Sequence, residues 1–154
     1  MSYPHFIAID ASSHEDTAHP IAIAWSMADG QIKTTLIQPE DDWQDWDYGL
    51  EDLHGISQET LYQRGETCWS VIRELENDLD ESYLRTDNAE GTAQLLEQIY
   101  EACDKELSLE TGHYSEEIES SEHRQEIQEQ LYSSPLPCDE RVLIMLKGWV
   151  SANH

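Results

Sequence analysis

Acids placed at the ends of apolar segments are where this chain could do chemistry. The run His5-Phe-Ile-Ala-Ile-Asp10 is short, apolar and closed by a carboxylate. Asp139 stands just ahead of Val142, Leu143, Leu146, Trp149 and Val150. Asp87 and Glu90 precede another helical stretch. Carboxylate oxygens are the ligands that hard divalent cations take. His54, in His54-Gly-Ile-Ser57, is a candidate binding residue or an ordinary loop histidine. Trp43 and Trp46, three apart in an acidic loop, could stack on bases or anchor a protein partner. Each feature also has an ordinary structural role. A strand-end acid is satisfied by backbone donors, and an acid in a helix's first turn is favoured by the macrodipole. A loop tryptophan packs its loop onto the domain. Cys68, Cys103 and Cys138 are odd in number and show no metal-ligand spacing, which speaks against a disulfide framework or a zinc site.

These residues need elements to position them. After the first apolar strand, Pro20–Met27 and Gln31–Gln38 read as two strands joined by an Asp29-Gly30 hairpin turn and stopped by Pro39. Residues 39–48 read as loop. Ser57 and Thr60 start a short helix over 58–64 that Gly65 closes. Trp69, Ile72, Leu75 and Leu79 predict a helix over 66–79. Tyr83–Thr86 reads as a fourth strand, 90–103 as a helix and Glu106–Leu109 as a fifth strand. The Glu-rich stretch 113–132 reads as a solvated helix or helical pair, and a final amphipathic helix follows the loop at 133–137. The order implies a single α/β domain over 1–154 with one mixed sheet of about five strands, one of them antiparallel, flanked by helices.

Composition narrows the partners. The 154 residues carry 33 acids against eight Lys and Arg, a formal net charge of −25. Nucleic-acid affinity rests largely on cationic side chains neutralising phosphates, so nucleic acid is disfavoured as a partner and a basic protein is favoured. No stretch approaches the roughly 18 apolar residues of a membrane span, so no membrane partner is expected. The absence of a leader-like start and of paired cysteines implies a cytoplasmic protein.

The order of pieces resembles the DEDD exonuclease family, which includes ribonuclease T, oligoribonuclease and polymerase proofreading domains. The resemblance rests on a first strand ending in Asp10, Pro20-Ile-Ala-Ile-Ala-Trp25, the hairpin, Leu36-Ile-Gln-Pro39, Trp43, His54-Gly-Ile-Ser57, Leu61 and Gly65. It covers residues 5–103 well and 104–154 loosely. It implies a ribonuclease H-like exonuclease fold, four metal-ligating acids with an assisting His or Tyr, and 3′–5′ hydrolysis with two divalent cations about 4 Å apart. Relatives of this kind often pair as homodimers, so a homodimer is compatible with the reading. Carried over by motif, Asp10 is the first acid, but the second position is Ser12. Glu15 and Asp16 lie past the strand end. Thr86-Asp-Asn-Ala-Glu-Gly-Thr92 matches the third motif, which puts Thr92 at the acid, Asp87 at an accessory position and Glu90 as a substitute. The last motif, His-x4-Asp, fits Asp139 with Ser134 in place of its histidine. A competing register uses His123-Arg124 and puts Gln128 at the acid.

Three functions follow as expectations. The first is an exonuclease-fold protein with a degenerate catalytic set, inactive as a nuclease, needing no cofactor and acting through a protein partner. Asp10 and Asp139 would then be remnants that hold metal weakly if at all, with His54, Trp43 and Trp46 as binding residues. The second is a divergent Mg2+- or Mn2+-dependent exonuclease on single-stranded RNA or DNA, built from Asp10, Asp139, Glu15, Asp87, Glu90 and His123. The third is an acidic mimic of nucleic acid.

Overall fold

A computed structural model describes residues 3–13, 15, 17–133 and 136–153, with all side chains in these ranges except those of Leu50, Leu53 and His54. Three strands come first: β1 (Ile7–Ala11), β2 (Pro20–Ser26) and β3 (Ile32–Leu36). Three helices follow, α1 (Tyr48–His54), α2 (Gln58–Arg64) and α3 (Cys68–Asp78). The chain continues through β4 (Tyr83–Thr86), α4 (Ala89–Ala102), β5 (Glu110–His113), a 3-10 turn at Tyr114–Glu117, α5 (Ser121–Tyr132) and α6 (Cys138–Ala152).

The five strands are divided between two small sheets rather than forming the single sheet expected. One is antiparallel in the order β1-β2-β3, and the other is the parallel pair β4-β5. A lone parallel bridge, Phe6 to Arg85, with Arg85 N–H donating to the His5 carbonyl at 2.8 Å, joins them. Only β2 runs against the rest, because it is antiparallel to both β1 and β3. Two local expectations also shift. The fifth strand is Glu110–His113 rather than 106–109, and the end of the 39–48 loop begins α1, which Asp47 caps by accepting from Gly49 N–H. Both misreadings come from weak periodicity in short acidic segments.

Alternation along β1 and β2 divides the core in two. Phe6, Ala8, Ala22 and Ala24 lie in one apolar cluster with Ile127, Leu131, Val142 and Met145 of α5 and α6. The small side chains of Ala8, Ala22 and Ala24 let α6 lie close against the sheet. Ile7, Ile9, Ile23 and Trp25 lie in the other, with Val71, Ile72, Leu75, Leu96, Ile99 and Tyr100 of α3 and α4. Asp10, two residues beyond Ala8, therefore faces α6. Trp25 is fully buried, and its indole donates to Asp78 at 3.0 Å. His5 is satisfied on both nitrogens, since Nδ1 donates to the Ser26 carbonyl and Nε2 accepts from Asp80 N–H.

Gly65 marks where β3's exit meets the end of α2. Its φ of −72° is ordinary. The constraint is space, because a Cβ there would lie 2.5 Å from Gln38 N and 2.5 Å from the Leu61 carbonyl. Gly65→Ala is expected to destabilise the fold by about 1–3 kcal/mol, the usual range for overpacking. Denaturant unfolding reads this directly, and an unchanged midpoint would contradict the close approach.

Candidate functional site

The parallel relation of β1 and β4 brings their carboxyl ends to one edge, where ligands of open α/β sheets usually bind. Asp10 is the next-to-last residue of β1 and Asp87 follows the last residue of β4. The two acids converge, but on an arginine. Arg141 Nη2 donates to Asp10 Oδ1 at 2.7 Å and to the Ile9 carbonyl at 3.1 Å. Arg141 Nη1 donates to Asp87 Oδ2 at 3.0 Å. The side chains are only 17% (Arg141), 14% (Asp10) and 8% (Asp87) exposed. Burial opposes the guanidinium's charge, but Asp87 and Asp10 outweigh it and hold the Arg141 pKa above its ordinary value.

Asp10 has a second task. Pro137, at the N-cap of α6, has no side-chain donor or acceptor to offer. Asp10 Oδ2 accepts from Cys138 N–H at 2.9 Å, so a carboxylate from β1 caps the helix from outside. The first turn of α6 thus closes around Asp10 from Cys138 to Arg141. The neighbouring Cys138 thiol is pushed up, first by burial and then by Asp10.

The residues standing where further acids were expected point elsewhere. Ser12 lies beyond a register shift between Asp10 and Ala11. Its hydroxyl donates to Asp45 Oδ2 at 2.8 Å and accepts from His19 N–H at 3.0 Å. Thr92 is buried and shares a 3.0 Å hydroxyl contact with Thr86. Glu15 and Glu90 are exposed. Asp139 lies two residues before Arg141, about 200° around the helix, so the two cannot face the same way. His123 sits in the first turn of α5, and its Nδ1 is buried without a hydrogen-bond partner among the described residues. Asp16, Ser134 and the side chain of His54 lie outside the described residues. Among the described residues no group of three or more His, Cys, Asp and Glu side chains could hold a metal ion. The residues present therefore do not fit the cation pair that the family resemblance implies.

Both loop tryptophans are held to the domain. Trp43 stacks on His19 with ring centroids 5.4 Å apart. Trp46 donates to Glu51 Oε2 at 2.7 Å. Asp45, between them, anchors the loop by accepting from Ser12 and from Thr17, the latter at 2.7 Å. Its carboxyl is held below the usual range by hydroxyl hydrogen bonds from Ser13, then Thr17 and Ser12. Sequence reasoning missed Arg141 and Asp45. Arg141 could have been found, since it falls three residues after Cys138 and four before Met145 on the apolar stripe of α6.

The edge so built has the form of an exonuclease-like α/β fold. Solved structures share it: Escherichia coli exonuclease I with a 5cy-dT13 oligonucleotide (TM-score 0.67, 10% identity, 96% of this chain and 40% of that one). The metal-free exonuclease I–single-stranded DNA complex from E. coli aligns with TM-score 0.65 and 9% identity over 96% and 38%. A product-bound exonuclease I aligns with TM-score 0.64 and 11% identity over 98% and 43%. The chain thus spans well under half the length of these neighbours. No protein-family model and no curated protein sequence matches the chain. No helix among the described residues is long and apolar enough to cross a membrane.

Asp87→Ala leaves half of a partly buried guanidinium unpaired and is expected to cost about 1.5–3 kcal/mol in denaturant unfolding. In a cluster of mutually repelling metal-binding acids the same change would be neutral or stabilising, and that result would contradict the ion pair. Because the Asp45 pKa is lowered on folding, its contribution to stability is present above the unfolded carboxyl value near ~4 and is lost as pH falls through the lowered folded value. Asp45→Asn should therefore lose stability at neutral pH and flatten the acid limb of the stability–pH curve, read by thermal melts. An unchanged acid limb would contradict the anchor.

Proposed function

We propose that this protein is a non-catalytic member of the exonuclease-like fold that works by binding a basic protein partner. The observation that carries this reading is the arginine between Asp10 and Asp87. The two acids that converge at the strand ends are engaged by a largely enclosed cation that can neither activate water nor leave. Ser12 and Thr92, at the other expected acid positions, are buried and already hydrogen-bonded. Removing a single transition-state contact of this kind costs several factors of ten, at about 1.4 kcal/mol each.

The partner's chemistry is argued from charge. Of the eight cationic side chains, Lys33, Arg85, Lys105 and Arg141 are in ion pairs with acids of the same chain. The eight together offset only a minor part of the 33 acids, which leaves the net −25. Such a field attracts basic surfaces, including those of nucleic-acid-binding proteins, and repels a phosphate backbone. This covers the mimic reading as one form of the same interaction. The divergent-exonuclease reading keeps one favourable observation, the convergence of Asp10 and Asp87, and the same experiment tests it.

The experiment is an oligonucleotide degradation assay with labelled single-stranded RNA and DNA, in Mg2+ and in Mn2+. No cleavage is expected, and no oligonucleotide binding at physiological salt. Metal-dependent cleavage that disappears in Asp10→Ala would overturn the reading.

A further inference from the structure

We infer that the outer edge of β3 is the docking site for an extended, Lys- or Arg-bearing segment of the partner, which adds a strand to the sheet there. The inference rests on the reading that the partner is a basic protein, and it names the surface that receives it and the form it takes.

The direction of the main-chain groups defines the edge. Met27 N–H donates to the Gln31 carbonyl at 2.8 Å, and Ile37 N–H donates to the Ile21 carbonyl at 2.9 Å. Odd-numbered residues of β3 therefore turn their amides and carbonyls toward β2, while Ile32, Thr34 and Leu36 turn theirs outward. At one end the outward side is already used. The Leu36 carbonyl accepts from Glu66 N–H and Gln38 N–H donates to the Glu66 carbonyl, both at 2.8 Å, around a lone parallel bridge. The strand position beside β3 is thus begun by Glu66 and left open at Ile32 and Thr34. The N–H and C=O groups of those two residues have no hydrogen-bond partner among the described residues, and Thr34 is exposed. Such an edge accepts an added strand unless something blunts it. Lysine on an edge strand commonly does so, but Lys33 leans the other way. Its Nζ donates to Asp78 at 3.1 Å and sits 5.8 Å from the centre of the Trp25 ring, back over β2.

Charge decides which strand is accepted. Lys33 is the one cation of β3, and Asp78 and Glu74 pair with it. Asp29 stands in the turn before the strand, and exposed Glu66 stands beside its end. The first turn of α6, which carries Asp139 and Glu140, reaches the strand where Cys138 Sγ lies 4.0 Å from Thr34 Oγ1. A second copy of this chain would bring another net −25 against these acids, whereas a strand bearing Lys or Arg is attracted by them.

The test uses the full chain with a synthetic peptide of alternating Lys and Val, its Glu–Val counterpart, calorimetric titration and amide hydrogen exchange. The Lys–Val peptide is expected to bind and the Glu–Val peptide is not. The amides of Ile32 and Thr34, open to exchange in the free protein, are expected to become protected with the peptide, while those of Lys33 and Thr35 are protected throughout. Thr34→Pro removes an outward N–H, a change that an edge strand tolerates, and is expected to weaken the Lys–Val peptide about tenfold. Equal binding by Thr34→Pro would mean that surface charge alone holds the peptide, and would overturn the inference. Should Thr34→Pro be unfolded, a Lys–Val peptide N-methylated at its central amides takes its place against wild type; it keeps the charge, loses the donors and is expected not to bind, and undiminished binding overturns the inference. A wild-type dimer in sedimentation that Thr34→Pro abolishes assigns the edge to a second copy and also overturns it. Cleavage of oligonucleotide by wild type would instead sink the non-catalytic reading. An inert wild type whose Ile32 and Thr34 amides stay open with the peptide would sink this inference alone.

Discussion

The largely enclosed bridge from Asp10 through Arg141 to Asp87 is the constraint around which the rest of the structure is arranged. It ties the end of β1, the turn after β4 and the first turn of α6 to a single cation. Each piece of the fold makes the bridge feasible. Alanines on β1 and β2 let α6 approach the sheet, and the parallel bridge at Phe6 brings the ends of β1 and β4 to one edge. Asp10 serves as the N-terminal cap that Pro137 cannot supply. A buried charge is tolerated only when it is paired and hydrogen-bonded, and this one is held on both sides.

That arrangement changes what the carboxyl edge can do. In a metal-dependent site, acids repel one another until ions bind, and the ions then carry the chemistry. Here the neutralising charge is covalently part of the chain. The edge becomes a structural joint, and the loop beside it follows the same logic. Ser12, at a position where the family resemblance implies an acid, is a donor that anchors Asp45 and so fixes the loop carrying Trp43 and Trp46. Two hydroxyls and one arginine thus hold this edge and the loop beside it by internal contacts.

Much of the frame was legible in the sequence. The hairpin turn, with Gly30 at a φ of 89°, and the bounds of α2 follow from local rules at Asp29-Gly30, Ser57 and Gly65. Helices α3, α4 and α6 follow from apolar spacing. The pieces from Asp10 to Gly65 pointed to the exonuclease-like fold that the solved structures share. What was not legible depends on contacts between distant residues. The division into two sheets turns on one bridge between Phe6 and Arg85. The role of Asp87 as a partner of Asp10 depends on Arg141, 54 positions further on. In a chain with eight cationic side chains, an arginine on an apolar helix stripe is itself a signal of a paired, enclosed charge.

The most direct test of the account is a double-mutant cycle in denaturant unfolding, with Asp87→Ala, Arg141→Ala and the pair together. A bridge that organises the site gives non-additive losses, with a coupling of about 1–3 kcal/mol between the two positions. Additive losses, with no coupling, would mean that Arg141 and Asp87 do not hold one another, and the account of the edge as a cation-bridged joint would fail.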